Sequence, residues 1–284
     1  MTPSQFDAWL LSPPPLGRPL VMGVLNVTPD SFSDGGRFDS AERAAARAEE
    51  MVAEGADLID VGGESTRPGS QPVPAEVQIN RVVPVIAALR KQGAPVTLSV
   101  DTTRSAVAEA ALDAGADIIN DITAGRDDPG LLPLVARRRA AVILMHMQGT
   151  PATMQDDPRY VDVTREVAEF LRQRARAAVA EGVEERRVLL DPGIGFGKTT
   201  NHNLELLRRM TDLAALGRPV VVGTSRKGFI GKVTGVTDPA ERLFGTAATV
   251  ACALANGAAV VRVHDVGPMS QVARMVRAIQ TGRG

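Results

Sequence analysis

The chain has 284 residues and a mass of 29.9 kDa, which suits one large domain or two small ones. Hydrophobic residues make up 44% of it and charged residues 23%, and the formal net charge is -1 at pH 7. Such a chain can bury a full core, but it lacks the basic excess that nucleic-acid binding usually needs. We therefore expect a small polar substrate and no nucleic-acid partner.

The N-terminal segment predicts neither secretion nor membrane insertion. It carries Asp7 and a Pro13-Pro14-Pro15 turn where a signal would have a basic segment and an apolar stretch. No hydrophobic run reaches the ~18 residues of a membrane span, so we expect no membrane partner. The single cysteine, Cys252, excludes disulfides within the chain and favours a cytoplasmic location. Its apolar surroundings predict a small buried side chain.

Short apolar runs alternate along the chain with longer amphipathic, alanine-rich stretches, a pattern typical of β-α-β units around a parallel sheet. They predict eight strands, at 20–25, 58–61, 96–100, 118–119, 142–145, 188–190, 220–222 and 259–263. Closure of these strands gives a TIM-type parallel β/α barrel, a single domain over 1–284 with 1–19 as an N-terminal extension. A doubly wound open sheet is the alternative, but its Gly-x-Gly-x-x-Gly after the first strand is missing.

A weak internal repeat supports this count of strands. Gly-Ala-Asp at 55–57 and 115–117, and Gly-Ala-Ala at 257–259, each precede an apolar run. The glycine can adopt the left-handed conformation that ends a helix, and the β-branched residues after it favour a strand.

Polar residues follow nearly every predicted strand. In parallel barrels the active site lies at the carboxyl ends of the strands, so these positions predict its residues. They are Asn26, Asp60, Glu64, Asp101, Asn120, Asp121, His146, Asp191, Ser225, Arg226, Lys227, Arg262, His264 and Asp265. Helix caps and turns could explain each carboxylate or amide alone, but they do not explain the cations.

Three loops also carry polar residues. The segments 27–36 and 62–70 are rich in Gly, Ser and Pro, as expected of loops that close over a substrate. The segment DPGIGFGKT at 191–199 looks like a nucleotide P-loop, but Pro192 replaces a required glycine. We interpret its glycines as allowing the backbone to approach a ligand held by Asp191.

The residues at the carboxyl ends of the strands form a polar rim, and this rim predicts two kinds of binding. Asp101, Asn120 and Asp191 can hold a flat heterocycle that has donors and acceptors on its edge, with Lys227 pairing to it. Arg67, Arg262 and His264 can bind a phosphate or pyrophosphate. The other histidines are less informative: His146 could be structural, and His202 fits a surface position or a helix cap.

Several segments resemble the dihydropteroate synthase family. The two long ones are MGVLNVTPDSFSDGG at 22–36 and GADLIDVGGESTRPG at 55–69. Shorter matches are SVDT at 99–102, IND at 119–121, MHMQG at 145–149, DPGIGFGK at 191–198, SRK at 225–227 and RVHD at 262–265. The likeness runs from about Leu20 to the C-terminus. It implies condensation of 6-hydroxymethyl-7,8-dihydropterin pyrophosphate with p-aminobenzoate, assisted by magnesium, in a homodimer that associates through helices near the C-terminus.

The resemblance also implies residue roles. It assigns the pterin to Asp101, Asn120, Asp191 and Lys227, with Met145 and Phe196 as apolar walls. It assigns pyrophosphate to Thr66, Arg67, Arg262 and His264, magnesium to Asn26, and p-aminobenzoate, with competing sulfonamides, to Phe32, Pro68 and Ser225. Asp101, Lys227, Arg67 and Asp34 are its catalytic candidates.

One departure and two alternatives stand beside this interpretation. Gly228 occupies a position where the family often has serine. A corrinoid-linked pterin methyltransferase uses a similar barrel, but it would not need the Thr-Arg-Pro loop or the pairing of Arg262 with His264. A catalytically idle paralogue would be expected to have lost some of these residues.

Overall fold

The computed structural model describes residues 1–11, 18–27, 37–65 and 69–283. Within these ranges the strands are β1 (Leu20–Asn26), β2 (Leu58–Gly62), β3 (Thr97–Asp101), β4 (Ile118–Asp121), β5 (Ala141–Met145), β6 (Val188–Asp191), β7 (Val221–Val222) and β8 (Val260–Val263). The helices are α1 (Pro3–Leu10), α2 (Arg37–Glu54), α3 (Ala75–Lys91), α4 (Ser105–Asp113), α5 (Leu131–Arg138), α6 (Val163–Ala180), α7 (Thr200–Arg208), α8 (Met210–Ala214), α9 (Gly228–Thr234), α10 (Leu243–Ala255) and α11 (Val266–Thr281).

The strands form one parallel sheet in the order β6-β5-β4-β3-β2-β1-β8-β7. The two ends of this order meet, because Leu190 of β6 bridges to Val220 just before β7. The Leu190 amide also donates to the Pro219 carbonyl at 3.0 Å. The predicted single-domain β/α barrel is therefore confirmed, with a strand at each predicted apolar run.

The Gly-Ala-Asp repeat has a structural role at two places. Gly55 and Gly115 have φ of 107° and 108°, values that favour glycine, and each follows a helix that ends there. The aspartate two residues later then accepts from the backbone of the neighbouring strand. Asp57 accepts from the Val21 amide at 3.0 Å, and Asp117 accepts from the Leu98 amide at 2.8 Å. The repeat thus fixes where each strand begins against its neighbour.

Alternate residues of each strand face the barrel interior. Leu20, Met22 and Leu58 pack inside, whereas Val21 and Ile59 pack against the helices. The lower half of the interior is apolar, and α1 covers that end of the barrel with Phe6, Trp9 and Leu10. Residues 3–10 of the predicted N-terminal extension therefore complete the core.

The upper half of the interior is polar, because inward positions nearer the carboxyl ends carry hydrogen-bonding groups. Asp60, Asn120 and Asp191 are all buried, and Arg262 of β8 donates to Asp60 and Asp101. Burial of ionisable groups costs free energy unless partners compensate them, so this half of the barrel marks a functional centre.

Cys252 corrects the sequence prediction, because its side chain is exposed. It lies on one face of α10, with its Sγ 4.0 Å from the Leu207 carbonyl oxygen of α7. The opposite face of α10 supplies the buried residues, which are Thr246, Val250, Ala253 and Leu254. An apolar sequence around the whole helix gave no sign of which face points inward. Among the described residues, no helix is long and apolar enough to cross a membrane.

Candidate active site

Four of the predicted pterin-binding residues reach the mouth of the barrel from different strands. Asp101 ends β3, Asn120 lies on β4 and Asp191 ends β6, while Lys227 immediately precedes α9. Asp101 and Asn120 face each other directly in the register of β3 and β4. Parallel pairing thus brings together residues that are far apart in the sequence.

A hydrogen-bonded network of Arg262, Asp60, Asp101 and Asn120 joins four strands beneath this mouth. Arg262 donates from Nε to Asp60 Oδ2 at 2.6 Å and from Nη2 to Asp101 Oδ2 at 3.1 Å. The Asn120 amide nitrogen donates to the same Asp60 oxygen at 3.0 Å. Burial raises the pKa of Asp101 to about 7, while Arg262 opposes this rise and Asp60 adds to it. At neutral pH Asp101 can therefore exist in either protonation state.

Asp191 and Lys227 form the opposite side of the mouth. Asp191 Oδ1 accepts from the Gly193 amide at 2.7 Å, and burial raises the pKa of this carboxyl. Lys227 donates to the Ile194 carbonyl, and its Nζ lies 4.6 Å from the centre of the Phe196 ring. Burial lowers the pKa of Lys227 to about 8, although Asp191 acts in the other direction.

The backbone before Lys227 is unusual. Arg226 has φ of 61°, which is uncommon for a residue other than glycine and costs free energy. Its guanidinium is held by Asp265 at 2.5 Å, its amide donates to Thr246 Oγ1 at 3.2 Å, and its carbonyl accepts from Arg242 at 2.9 Å. These contacts hold the turn that presents Ser225 and Lys227.

An apolar surface completes the site. Met145 packs with Ile122, Met147 and Met154, and Phe196 packs against this group. The two residues predicted as pterin walls thus belong to one cluster, beside the polar groups of β4 and β6. A flat ring can stack on such a surface while its edge bonds to the carboxylates.

The predicted anion-binding residues are only partly described. His264 follows β8 and contacts Ser225 twice, since its amide donates to Ser225 Oγ at 3.2 Å and its Nδ1 lies 3.0 Å from the same oxygen. Asn26 ends β1 beside Gly62, whose missing side chain leaves room at Asn26 Oδ1. The predicted residues Phe32, Asp34, Thr66, Arg67 and Pro68 lie outside the described part of the chain.

The structure adds Lys198, which the sequence analysis gave no role. Its side chain is buried, with Nζ 2.9 Å from the Phe196 carbonyl oxygen and 3.0 Å from His146 Nδ1. Burial lowers the pKa of Lys198, and burial together with this lysine lowers that of His146 to about 2. With the Lys198 amine as the donor, neutral His146 accepts through Nδ1 and carries its proton on Nε2. In the sequence, the only indication of a role for Lys198 was its place after Gly197 in the segment that looked like a P-loop.

His202 matches its predicted role as a helix cap. It accepts at Nδ1 from the Thr199 amide and donates its own amide to Thr199 Oγ1, both at 3.2 Å. Together these bonds form a capping box at the start of α7.

Comparison with known proteins identifies the family. Residues 22–264 match the family described as pterin binding enzyme. A dihydropteroate synthase of Synechocystis is 47% identical over 262 residues, which cover 92% of this chain and 90% of that protein. The chain belongs to the dihydropteroate synthase family. The resemblance expected from the sequence is therefore confirmed, and the chain is an enzyme of the transferase class.

Solved structures of the family have the same fold. A Xanthomonas albilineans dihydropteroate synthase with 4-aminobenzoic acid superposes with a TM-score of 0.87 at 48% identity, covering 93% of both chains. A Yersinia pestis dihydropteroate synthase with a sulfonamide drug complex gives 0.87 at 43% identity, covering 93% of this chain and 95% of that one.

Proposed function

We propose that the polar mouth of the barrel is the site where this dihydropteroate synthase condenses 6-hydroxymethyl-7,8-dihydropterin pyrophosphate with p-aminobenzoate. The product is 7,8-dihydropteroate, with release of pyrophosphate. The observation that carries the assignment is the convergence of Asp101, Asn120, Asp191 and Lys227 beside the cluster of Met145 and Phe196. Such a set matches a planar heterocycle with both donors and acceptors on its edge.

The pterin has ring N–H and amino groups that donate, and a carbonyl and ring nitrogens that accept. In the proposed complex the Asp101 and Asp191 carboxylates accept from the donors, and Lys227 donates to an acceptor. Asn120 can do both, because an amide carries a donor and an acceptor. Hydrogen bonds to charged groups each contribute about 1.5–3 kcal/mol, so a few of them suffice to fix the ring.

The reaction breaks the C–O bond between the pterin methylene and pyrophosphate, and the electron pair leaves with the pyrophosphate oxygen. The amine nitrogen of p-aminobenzoate forms the new C–N bond and then loses a proton. Positive charge that develops on the methylene is stabilised by Asp101 and Asp191, while Arg262 and His264 stabilise the departing anion. A neutral aromatic amine is already nucleophilic, so no strong general base is required.

Asn26 is the residue that we propose holds a divalent cation. Magnesium keeps several waters and takes few protein ligands together with substrate phosphates, and one amide oxygen at the end of β1 meets that need. No cluster of three or more His, Cys, Asp or Glu side chains suited to a metal occurs among the described residues. Asn26 would hold magnesium together with the phosphates of the substrate, and the ion would supply positive charge that neutralises the pyrophosphate.

For p-aminobenzoate we propose a pocket at Ser225 that is completed by Phe32 and Pro68. Ser225 is buried and held by His264, on the same turn as Lys227. The ligands named for the relatives, 4-aminobenzoic acid and a sulfonamide drug, support this assignment. Sulfonamides should then compete with p-aminobenzoate, which initial rates at varied concentrations of both would test.

We also propose a cytoplasmic homodimer. The outer surface of α10 and α11 is apolar and exposed: Phe244 is 85% exposed, Met275 62% and Ile279 70%. Exposed apolar side chains of this size favour burial against a partner, and a second copy of the chain fits the expected symmetry. Sedimentation of Phe244→Glu beside the native enzyme tests this. A native monomer, or an undisturbed dimer in the variant, would contradict it.

The function of the site is tested by pyrophosphate release from the pterin pyrophosphate, magnesium and p-aminobenzoate, with a control lacking the amine. Arg262→Ala should lose roughly 100-fold or more in rate, because it removes a donor to the leaving group. Arg274→Ala is the matched control, since this exposed arginine of α11 borders a pocket with Arg18 and Gly55 at the other end of the barrel. Equal rates in all three proteins would refute the assignment of Arg262.

A further inference from the structure

Asp60 lies in the middle of β2 and faces the barrel interior with none of its surface exposed. Its Oδ2 accepts from two rim residues, Arg262 Nε at 2.6 Å and Asn120 Nδ2 at 3.0 Å. One of these residues belongs to the proposed pyrophosphate set, and the other belongs to the proposed pterin set. A single buried carboxylate oxygen therefore connects both halves of the site.

The second oxygen of Asp60 is different. Oδ1 is buried and has no hydrogen-bond partner among the described residues. A buried acceptor without a partner is unfavourable, and in native proteins such groups concentrate where a function uses them. Arginine commonly pairs with a carboxylate through two parallel N–H···O bonds, one to each oxygen. Arg262 makes only one of these bonds to Asp60, because its Nη2 donates to Asp101 at 3.1 Å.

This arrangement occupies Asp101, which the pterin ring must also use. Arg262 can leave Asp101 without losing a hydrogen bond, because the vacant Asp60 oxygen lies next to the one that its Nε already contacts. From that position the guanidinium would still face the mouth of the barrel, and the Asp101 carboxylate would be available to the ring.

We propose that Asp60 is a positioning residue that anchors Arg262 through Nε while Nη2 of Arg262 moves from Asp101 to the second Asp60 oxygen, which leaves the other N–H groups of Arg262 for the pyrophosphate of the substrate. Through the same oxygen it holds Asn120 in place for the pterin. The inference rests on the proposed function of the site. It makes binding of the ring and binding of pyrophosphate cooperative, since each favours the same movement of Arg262.

The first test is Asp60→Asn, which keeps the shape of the side chain and an acceptor but removes the charge. We expect kcat/KM for the pterin pyrophosphate to fall roughly 10- to 100-fold, as for a misplaced catalytic group. The KM for p-aminobenzoate should change by less than about twofold, because among the described residues the Asp60 side chain bonds to Arg262 and Asn120 and not to Ser225. Calorimetry should show a larger loss of affinity for the pterin pyrophosphate than for the unphosphorylated 6-hydroxymethyl-7,8-dihydropterin.

The pH profile separates this role from a purely structural one. The charged groups that act on Asp101 are Arg262, Asp60, Asp121 and Glu64. Removal of the Asp60 charge removes one cause of the raised pKa of Asp101. The acid limb of kcat/KM should therefore move to lower pH in Asp60→Asn.

Ser99→Ala is the matched control. Ser99 is the β3 residue directly opposite Asp60 in the register, and its Oγ is likewise buried without a partner among the described residues. It contacts neither Arg262 nor Asn120 through a hydrogen bond, so the variant should keep both the native rate and the native acid limb. A native rate and an unmoved acid limb in Asp60→Asn would overturn the proposal.

If Asp60→Asn does not fold, the native enzyme still provides a test. The Arg262 Nε–H resonance, assigned with Arg262→Lys, should stay strongly shifted by its short bond to Asp60 when pyrophosphate is added. Loss of that shift would show that Arg262 leaves Asp60, and it would overturn the proposal that Asp60 anchors Arg262. Absence of any amine-dependent pyrophosphate release by native protein would instead reject the proposed function of the site.

Discussion

Replacement of His146 by asparagine should change how stability depends on pH. The His146 ring is buried, with its centre 4.8 Å from the Phe170 ring centre and its Nδ1 3.0 Å from Lys198 Nζ. The asparagine amide oxygen can replace Nδ1 as an acceptor, but it does not bind a proton. The variant thus removes the titration and retains a partner for Lys198.

The direction of the pH effect on stability follows from the pKa of His146 in the folded and unfolded chain. Burial lowers the pKa of His146 to about 2 in the folded chain, against 6.5 as its ordinary value. Between these values the unfolded chain binds a proton that the folded chain does not, so stability falls as pH falls below 6.5. Between about pH 7.5 and about pH 5.5, titration of His146 alone should lower the free energy of unfolding by about 1.4 kcal/mol.

Urea denaturation at these two pH values measures the effect. The native enzyme should lose about 1.4 kcal/mol more than His146→Asn on acidification, since titration of the carboxylates is common to both. His202→Asn is the control: its half-buried ring also has a lowered pKa, but caps a helix at the surface, so a smaller difference is expected. Identical pH dependence in native enzyme and His146→Asn would refute the argument.

Three further substitutions test the site and its loops. Lys227→Met should weaken binding of the unphosphorylated pterin roughly tenfold or more by calorimetry, because a charge-assisted bond is lost, whereas Lys232→Met on α9 should not. Because the pKa of Lys227 is lowered to about 8, native pterin affinity should also decline as pH rises through that value. Gly193→Ala should destabilise the fold by roughly 2–4 kcal/mol in urea, since φ is 65° and a Cβ would overlap the His146 carbonyl oxygen. Gly228→Ser should change the free energy of unfolding by no more than about 0.5 kcal/mol, because a Cβ there meets no atom within 4 Å. A large loss of stability would show that the fold of this chain requires glycine at this position.

The sequence by itself determined the strands and the ends at which the chemistry lies. Apolar runs separated by helical stretches are local patterns, so the strands at Leu58 and Ile118 could be found despite their short length. The residue that follows each strand must lie at the carboxyl edge of a parallel barrel, which placed Asp101, Asn120 and Asp191 together. The two long glycine- and serine-rich motifs then identified the family. They are specific to that family, whereas the pattern of strands is shared by many β/α barrels.

Only the tertiary structure decided which groups meet and which faces are buried. The pairing of Lys198 with His146 joins residues 52 positions apart, and that of Arg262 with Asp60 joins residues 202 apart. The sequence placed Asp60 at the rim, but the structure buries it inside the barrel. Cys252 was expected to be buried but is exposed. The sequence could not show this, because α10 is apolar on both faces. Contacts of this kind depend on barrel closure, which brings distant strands into register and has no local signal in the sequence.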